Sequence, residues 1–233
     1  MNKADVLALL EANRNEKGIQ AWTRTGAPDE KLKSYGIGLT VLRKLAKEIG
    51  SDHSLAMELW ESDVYDAKLI ALLIDDPKRV TREQAEAQVD QLEQGHLAHV
   101  FSSCDATLAK APFVVEIASE WIQSKDPMRR RCGYGLLYEV SKSKKKSAPD
   151  DDFFLARIEH IRQTFSGEER AVNHAMGVAL MGMGMRNPNL HAAALQVAKE
   201  MGPLSIDSNH NKPGTFDVAQ KLTNEHVTKK LGL

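Results

Sequence analysis

The sequence is poor in cysteine, and it has no apolar stretch long enough to cross a membrane. Its two cysteines, Cys104 and Cys132, lie outside any CxxC pair, so neither a disulfide framework nor a thiolate zinc site is predicted. No apolar run approaches the roughly 20 residues that a membrane-spanning helix needs. The start, MNKADVLALLEANRNEK, favours an amphipathic helix over a secretory signal. We therefore expect a cytoplasmic protein without a membrane partner.

The motifs of several common enzyme classes are also absent. The chain contains no phosphate-binding loop, no dinucleotide-binding fingerprint, and no HExxH or GxSxG motif, which argues against nucleotide-dependent and common hydrolase chemistry. His96 and His99 stand before Cys104 and Asp105, an arrangement that invites a metal-site interpretation. Because no fourth ligand has convincing spacing and Cys104 falls on an apolar helical stripe, structural histidines are the better interpretation. We expect neither a metal nor an organic cofactor.

The residues that are present favour helices. From about residue 37 onward, apolar positions recur at helical spacing, and no stretch alternates polar and apolar residues, so no sheet is expected. Caps and breakers predict helices at 39–49, 53–62, 63–74, 82–94, 96–109, 112–123, 127–143, 151–165, 168–183 and 189–201. Residues 14–36 and 202–214 are rich in turn formers and predict an ordered loop and a C-terminal extension.

Short linkers make neighbouring helices antiparallel, which predicts an all-α fold built from degenerate helix pairs in an α-solenoid. No strict sequence period is visible. We expect residues 1–233 to form a single domain whose last part, 201–233, is the C-terminal extension, and we expect a monomer.

A basic strip that carries tyrosines runs along the predicted helix at 127–143. Four of its residues recur at i, i+3, i+7 and i+11 and are predicted to share an outward face: Arg131, Tyr134, Tyr138 and Lys142. Between positions 129 and 146 there are seven basic residues and one acidic residue, whereas the whole chain has a net charge of -1. Such a mixture suits a nucleic-acid backbone, although a basic face that is only solvated has the same composition.

Five segments carry a family resemblance: YGIGLTVLRKLAKEIG at 35–50, AMELWESDVYDAKLIALLI at 56–74, FSSCD at 101–105, DPMRRRCGYGLLYEVSK at 126–142 and AVNHAMGVALMGMGMRNPNL at 171–190. In order and spacing they resemble the DNA alkylation repair family of HEAT-like helical-repeat DNA glycosylases. The resemblance covers about residues 35–200. It implies an α-α superhelix of HEAT-like antiparallel helix pairs with a concave basic groove, and double-stranded DNA, including alkylated DNA, as the partner.

The resemblance also implies a chemistry, the removal of cationic N3- or N7-alkylated purines without base flipping. Family members use a carboxylate at the sugar, aromatic residues that grip the cationic nucleotide, and an arginine that holds a phosphate. Asp105 matches the carboxylate, and Phe101 stands where the family has tryptophan, which gives the two candidate catalytic residues. Arg131 matches the arginine, with Arg130 one position away. Val178 stands where a second aromatic residue is expected.

Other roles stay open for these residues. Phe101 also fits an apolar core stripe, and Asp105 also fits an ion pair or a helix cap. His174, Val178, Met181 and Met185 form a soft apolar face, and its methionines are predicted to pack against the C-terminal segment. The candidate DNA-binding residues are Arg129, Arg130, Arg131, Tyr134, Tyr138, Lys142 and Lys145. Three hypotheses follow: a glycosylase, a non-catalytic binder of DNA structures, and a protein-interaction solenoid.

Overall fold

The computed structural model describes residues 1–24, 32–92, 96–104, 106–206 and 214–233. Within these ranges the chain forms fourteen α-helices, two short 3₁₀ helices and one small sheet, which confirms the all-α prediction. None of the helices in the described ranges is both long enough and apolar enough to span a bilayer. The chain divides into two compact units, Met1–Phe113 and Val114–Leu233, which we call unit 1 and unit 2.

Unit 1 is built around one almost fully buried helix. Its elements are α1 (Lys3–Ala12), α2 (Glu16–Arg24), α3 (Leu39–Ile49), α4 (His53–Trp60), α5 (Tyr65–Ile74), α6 (Arg82–Val89), α7 (His96–Ser102) and the 3₁₀ helix η1 (Thr107–Lys110). Helix α5 contacts α1, α3, α4, α7 and η1. Side-chain caps begin two of the helices where they were predicted, because Asp52 accepts from Leu55 N and Thr81 accepts from Gln84 N.

Two predictions in unit 1 are wrong. Helix α2 lies within the segment that was predicted to be a loop, and the Trp22 ring packs against the Tyr65 ring at 4.3 Å. The helix predicted at 96–109 ends at Ser102 instead. The Ser102 and Ser103 hydroxyls donate to the carbonyl oxygens four residues earlier, and Cys104 adopts a φ of 63°. Such local side-chain hydrogen bonds compete with helix continuation, and a left-handed residue stops it.

Unit 2 has α9 at its centre. Its elements are α8 (Val114–Trp121), α9 (Pro127–Ser141), α10 (Asp151–Thr164), the 3₁₀ helix η2 (Phe165–Gly167), α11 (Arg170–Gly184), α12 (Pro188–Met201), β1 (Leu204–Ile206), β2 (Gly214–Phe216), α13 (Val218–Leu222) and α14 (Glu225–Leu231). Helix α9 packs against α8 and α11, and α12 packs against α10 and α11. The predicted inward residues Cys132, Leu136 and Leu137 are completely buried.

The C-terminal part of unit 2 contradicts the prediction that the chain has no sheet. Strands β1 and β2 pair antiparallel, with Leu204 opposite Phe216 and Ile206 opposite Gly214. The strands are three residues long, too short for an alternating pattern to stand out from the surrounding turn formers. Both β1 and α13 pack on α11, so the C-terminal segment is part of the fold of unit 2.

Candidate nucleic-acid interface

The basic segment, residues 129–146, begins in the first turn of α9. The Asp126 side chain accepts from Met128 N at 3.0 Å, and Pro127 occupies the first helical turn, so the sequence Asp-Pro fixes where α9 begins. This start places three arginines at the positive end of the helix dipole, where cations are unfavourable. Nearby carboxylates compensate, since Arg129 pairs with Asp126 at 3.2 Å and Arg130 pairs with Glu168 at 2.8 Å.

Arg130 is bound within the protein. Its Nε and Nη2 donate to the two carboxylate oxygens of Glu168, at 2.8 and 2.9 Å, and these bonds raise the Arg130 pKa. Its Nη1 donates at 2.9 Å to the carbonyl oxygens of Ser124 and Lys125. Arg130 therefore ties the start of α9 to the loop before α11, and a phosphate contact by this side chain would require breaking these bonds.

The predicted outward stripe of α9 is wrong at Tyr134. This side chain has 0 % exposed surface, and its burial raises the tyrosine pKa. Tyr138 is half-buried, and the Lys142 Nζ lies 4.8 Å from the centre of its ring. The prediction assumed that α9 buries one side, but α8 and α11 cover it from two directions, which leaves a narrower exposed face. Tyr134 cannot contact a nucleic acid without local unfolding.

The C-terminal end of α9 is held by Arg186, which lies between α11 and α12. Arg186 donates through Nη1 to the carbonyl oxygens of Ser141 and Ser143, at 2.5 and 3.0 Å, and its guanidinium lies 4.3 Å from the Phe154 ring centre. A cation at this position satisfies carbonyls that the helix leaves unpaired. These hydrogen bonds from Arg186 fix where the loop after α9 begins.

The loop after α9 supplies the exposed basic side chains of the segment. Lys144, Lys145 and Lys146 are all exposed. Lys142 is also exposed, but it pairs with Glu139 at 2.5 Å. Arg129, Arg130 and Lys142 are thus in ion pairs, and the loop after α9 exposes three consecutive lysines, Lys144, Lys145 and Lys146.

Arg131 lies beside a small aromatic contact that involves the C-terminal segment. The His174 ring on α11 is 5.3 Å from the Phe216 ring on β2. Burial lowers the His174 pKa, and the Arg131 charge lowers it further. A side chain at Gly177 would meet Leu204 at 2.7 Å and Val218 at 3.0 Å, so glycine permits this close packing. The C-terminal segment thus packs on α11 at His174 and at Gly177, whereas its packing against the methionines Met181 and Met185 stays a prediction.

The two predicted catalytic residues belong to unit 1. Phe101 is 0 % exposed and packs in the core, as its place on the apolar stripe predicted, and its role as an aromatic partner stays a prediction. Asp105 lies outside the described residues. In the described part of the chain, no three histidine, cysteine or carboxylate side chains converge as metal ligands would.

Three contacts of the structure were not predicted from the sequence. The partners Arg130 and Glu168 are 38 residues apart, and Arg186 is 45 residues from Ser141, so no local spacing signals either contact. A close contact between the side chains of His99 and Cys104 was also missed, because a helix through residue 104 would have turned the cysteine inward. The two adjacent serines that end α7 were the available signal.

A mostly helical chain with packed helix pairs and a basic segment is typical of helical-repeat proteins that bind an extended partner. Comparisons with known proteins identify the family. Residues 6–209 match the family described as DNA alkylation repair enzyme. The chain belongs to this DNA alkylation repair family, as the sequence segments indicated.

Individual relatives agree with the family assignment. The uncharacterized protein Lin0241 of Listeria innocua is 27% identical over 207 residues, and Lmo0209 of Listeria monocytogenes is 26% identical over 207 residues. Each match covers 85% of both chains. A solved structure is described as belonging to "a new family of proteins related to the HEAT-like repeat DNA glycosylases with affinity for branched DNA structures". It matches with a TM-score of 0.83 at 22% identity, over 100% of this chain and 97% of that chain, which confirms the HEAT-like fold.

Proposed function

We propose that this protein binds DNA through the basic segment of unit 2 and that branched DNA is its preferred substrate. The observation that carries the proposal is the exposed run of Lys144, Lys145 and Lys146 in the loop that follows α9, a helix whose two ends are fixed by Arg130 and Arg186. Basic side chains of this kind neutralise phosphates and release counterions, which is the main source of affinity for a nucleic-acid backbone. The preference for branches is taken from the description of the solved relative.

The residues at the two positions where the family has aromatic side chains favour DNA binding over base excision. Phe101 is buried, and Val178 is aliphatic, so neither position offers the aromatic face that the family chemistry uses on a cationic nucleotide. A phosphate-binding surface needs no such face. The proposed activity is therefore recognition of DNA structure, and unit 2 supplies the contacts.

The binding proposal is tested by titrating the full chain into a labelled four-way DNA junction and into a linear duplex of matched sequence. Fluorescence anisotropy should report tighter binding to the junction, with an affinity for both that falls as salt increases. Equal affinity for the two would contradict the preference for branches. Absence of binding to either DNA at about 50 mM salt, where phosphate contacts are strong, would contradict the whole proposal and favour the protein-interaction hypothesis.

Glycosylase activity is a second candidate because Asp105 and Arg131 retain the residue types of the family pattern. With the aromatic partner buried, we expect no release of 7-methylguanine or 3-methyladenine from methylated DNA above the spontaneous rate. Released bases can be measured by chromatography for the wild type and for Asp105→Asn. Release by the wild type that is lost in Asp105→Asn would establish excision and overturn the expectation.

A further inference from the structure

A cysteine and a histidine of unit 1 meet at the end of α7. The Cys104 Sγ lies 2.9 Å from the His99 Nε2. The Ser103 Oγ lies 3.2 Å from the other ring nitrogen, His99 Nδ1. His99 is exposed and Cys104 is partly exposed, so small solutes can reach the pair. The second cysteine, Cys132, is completely buried in unit 2 and has no such access.

The backbone turns the thiol toward the imidazole. Cys104 has a φ of 63°, and it is the one residue other than glycine with a positive φ in the described ranges. A left-handed conformation is sterically unfavourable for a non-glycine residue, and residues held in this way cluster at functional sites. Arg43 from α3 donates to the Cys104 carbonyl oxygen at 3.0 Å and holds the turn.

The hydrogen bonds around the His99 imidazole indicate which of its two nitrogens carries the proton and which can accept one from the Cys104 thiol. The Ser103 hydroxyl donates its proton to the His99 carbonyl oxygen at 2.6 Å, so its oxygen is left to accept from His99 Nδ1–H. In that neutral tautomer Nε2 carries a lone pair, and it faces the Cys104 thiol. Transfer of the thiol proton to Nε2 gives a thiolate beside an imidazolium, which stabilises the thiolate.

We infer that Cys104 is a nucleophilic thiol activated by His99, and that it forms covalent adducts with small alkylating electrophiles. In the reaction, the proton moves from Cys104 Sγ to His99 Nε2, and the thiolate attacks the alkyl carbon. A sulfur–carbon bond forms while the bond from carbon to the leaving group breaks, and the leaving group departs with the electron pair. The imidazolium then loses its proton to solvent. This inference does not depend on the proposed DNA binding.

The adduct would stand at a defined place in the chain. Cys104 immediately precedes Asp105, the family-matched carboxylate, and the alkyl group would replace the hydrogen bond between Sγ and His99. A member of an alkylation repair family would then carry a thiol that records exposure to the same class of reagent. The geometry makes Cys104 the reactive cysteine and Cys132 the inert one.

The inference is tested with the full-length protein and iodoacetamide as the alkylating probe. Mass spectrometry of the digested protein measures adduct formation at Cys104 and Cys132 separately, over a range of pH. We expect the midpoint of Cys104 labelling to fall at least about one pH unit below the value of about 8.5 of an ordinary thiol. Labelling of Cys132 in the native protein should be negligible by comparison.

A variant of His99 tests whether this histidine activates the Cys104 thiol or whether the thiol reacts only because it is exposed. His99→Gln should slow labelling of Cys104 at about pH 6.5 by about tenfold or more, because a one-unit rise in pKa removes that share of thiolate. His226→Gln, which changes an exposed histidine of unit 2, is the matched control and should label as the wild type does. A wild-type midpoint of about 8.5 would overturn the inference whether or not His99→Gln folds. Equal labelling rates for the wild type and a folded His99→Gln variant would overturn it as well.

Discussion

Replacing four basic residues of the basic segment by glutamine is expected to weaken DNA binding by about 100-fold at about 100 mM salt. The four are Arg131, Lys144, Lys145 and Lys146. Each phosphate contact contributes about -0.9 to the slope of log affinity against log salt, so the loss of four contacts should flatten that slope by about 3.6. Anisotropy titrations of a DNA junction at several salt concentrations measure both quantities.

The control for this variant removes the same charge from the same unit. Lys199, Lys221, Lys229 and Lys230 are exposed residues of unit 2 that lie outside the basic segment. Their replacement by glutamine lowers the net charge equally, but it should leave most of the affinity and the salt slope intact. If both variants lose affinity to the same extent, the basic segment has no special role and only the total charge matters.

Gly133→Ala is expected to destabilise the protein, although alanine normally favours a helix over glycine by about 1 kcal/mol. A Cβ at this position would lie 2.8 Å from the backbone nitrogen of Ile122 and 3.1 Å from the carbonyl oxygen of Ala118. These two atoms are hydrogen-bonded to each other at the end of α8, so neither can move without weakening that bond. Overpacking of this kind costs about 1–3 kcal/mol, and Gly133→Val should cost more.

Urea unfolding followed by circular dichroism gives the free energy of unfolding for these variants. Gly167→Ala is the matched control in the same unit, because a Cβ there meets no atom within 4 Å. Its stability should remain within about 0.5 kcal/mol of the wild type. If Gly133→Ala unfolds at the same urea concentration as the wild type or at a higher one, the close approach of α8 and α9 is looser than the structure indicates.

Local chemistry in the sequence was enough to predict most helices. Asp52, Thr81, Asp126 and Asn187 each begin a helix through a side-chain hydrogen bond, and the predicted starts lie within two residues of these caps. The family resemblance then supplied the HEAT-like arrangement that periodicity alone left open. Helix caps and family-like segments both consist of residues close together in the chain, so each can be recognised in the sequence without knowledge of tertiary contacts.

The side-chain environment could not be predicted in the same way. Tyr134 was assigned outward from the spacing of α9 alone, but the packing of α8 and α11 on two sides of the helix decides its burial. Likewise, the helix at 96–109 had the right apolar spacing, and the hydroxyls of Ser102 and Ser103 ended it early. The spacing of apolar residues along a helix reports neither the helices that pack on it from distant parts of the chain nor the side-chain hydrogen bonds that end it early.

Arginines and lysines have different structural roles in unit 2, and these roles determine which of them can be replaced without loss of stability. Arg130 and Arg186 each make hydrogen bonds that connect distant parts of the unit, whereas Lys144–Lys146 project from a loop. Lysines in the loop can therefore be exchanged, added or lost with little penalty to folding, while the two arginines are constrained by stability. The charge of this loop can therefore be changed almost independently of the free energy of unfolding, whereas a change at either arginine alters the helical framework itself.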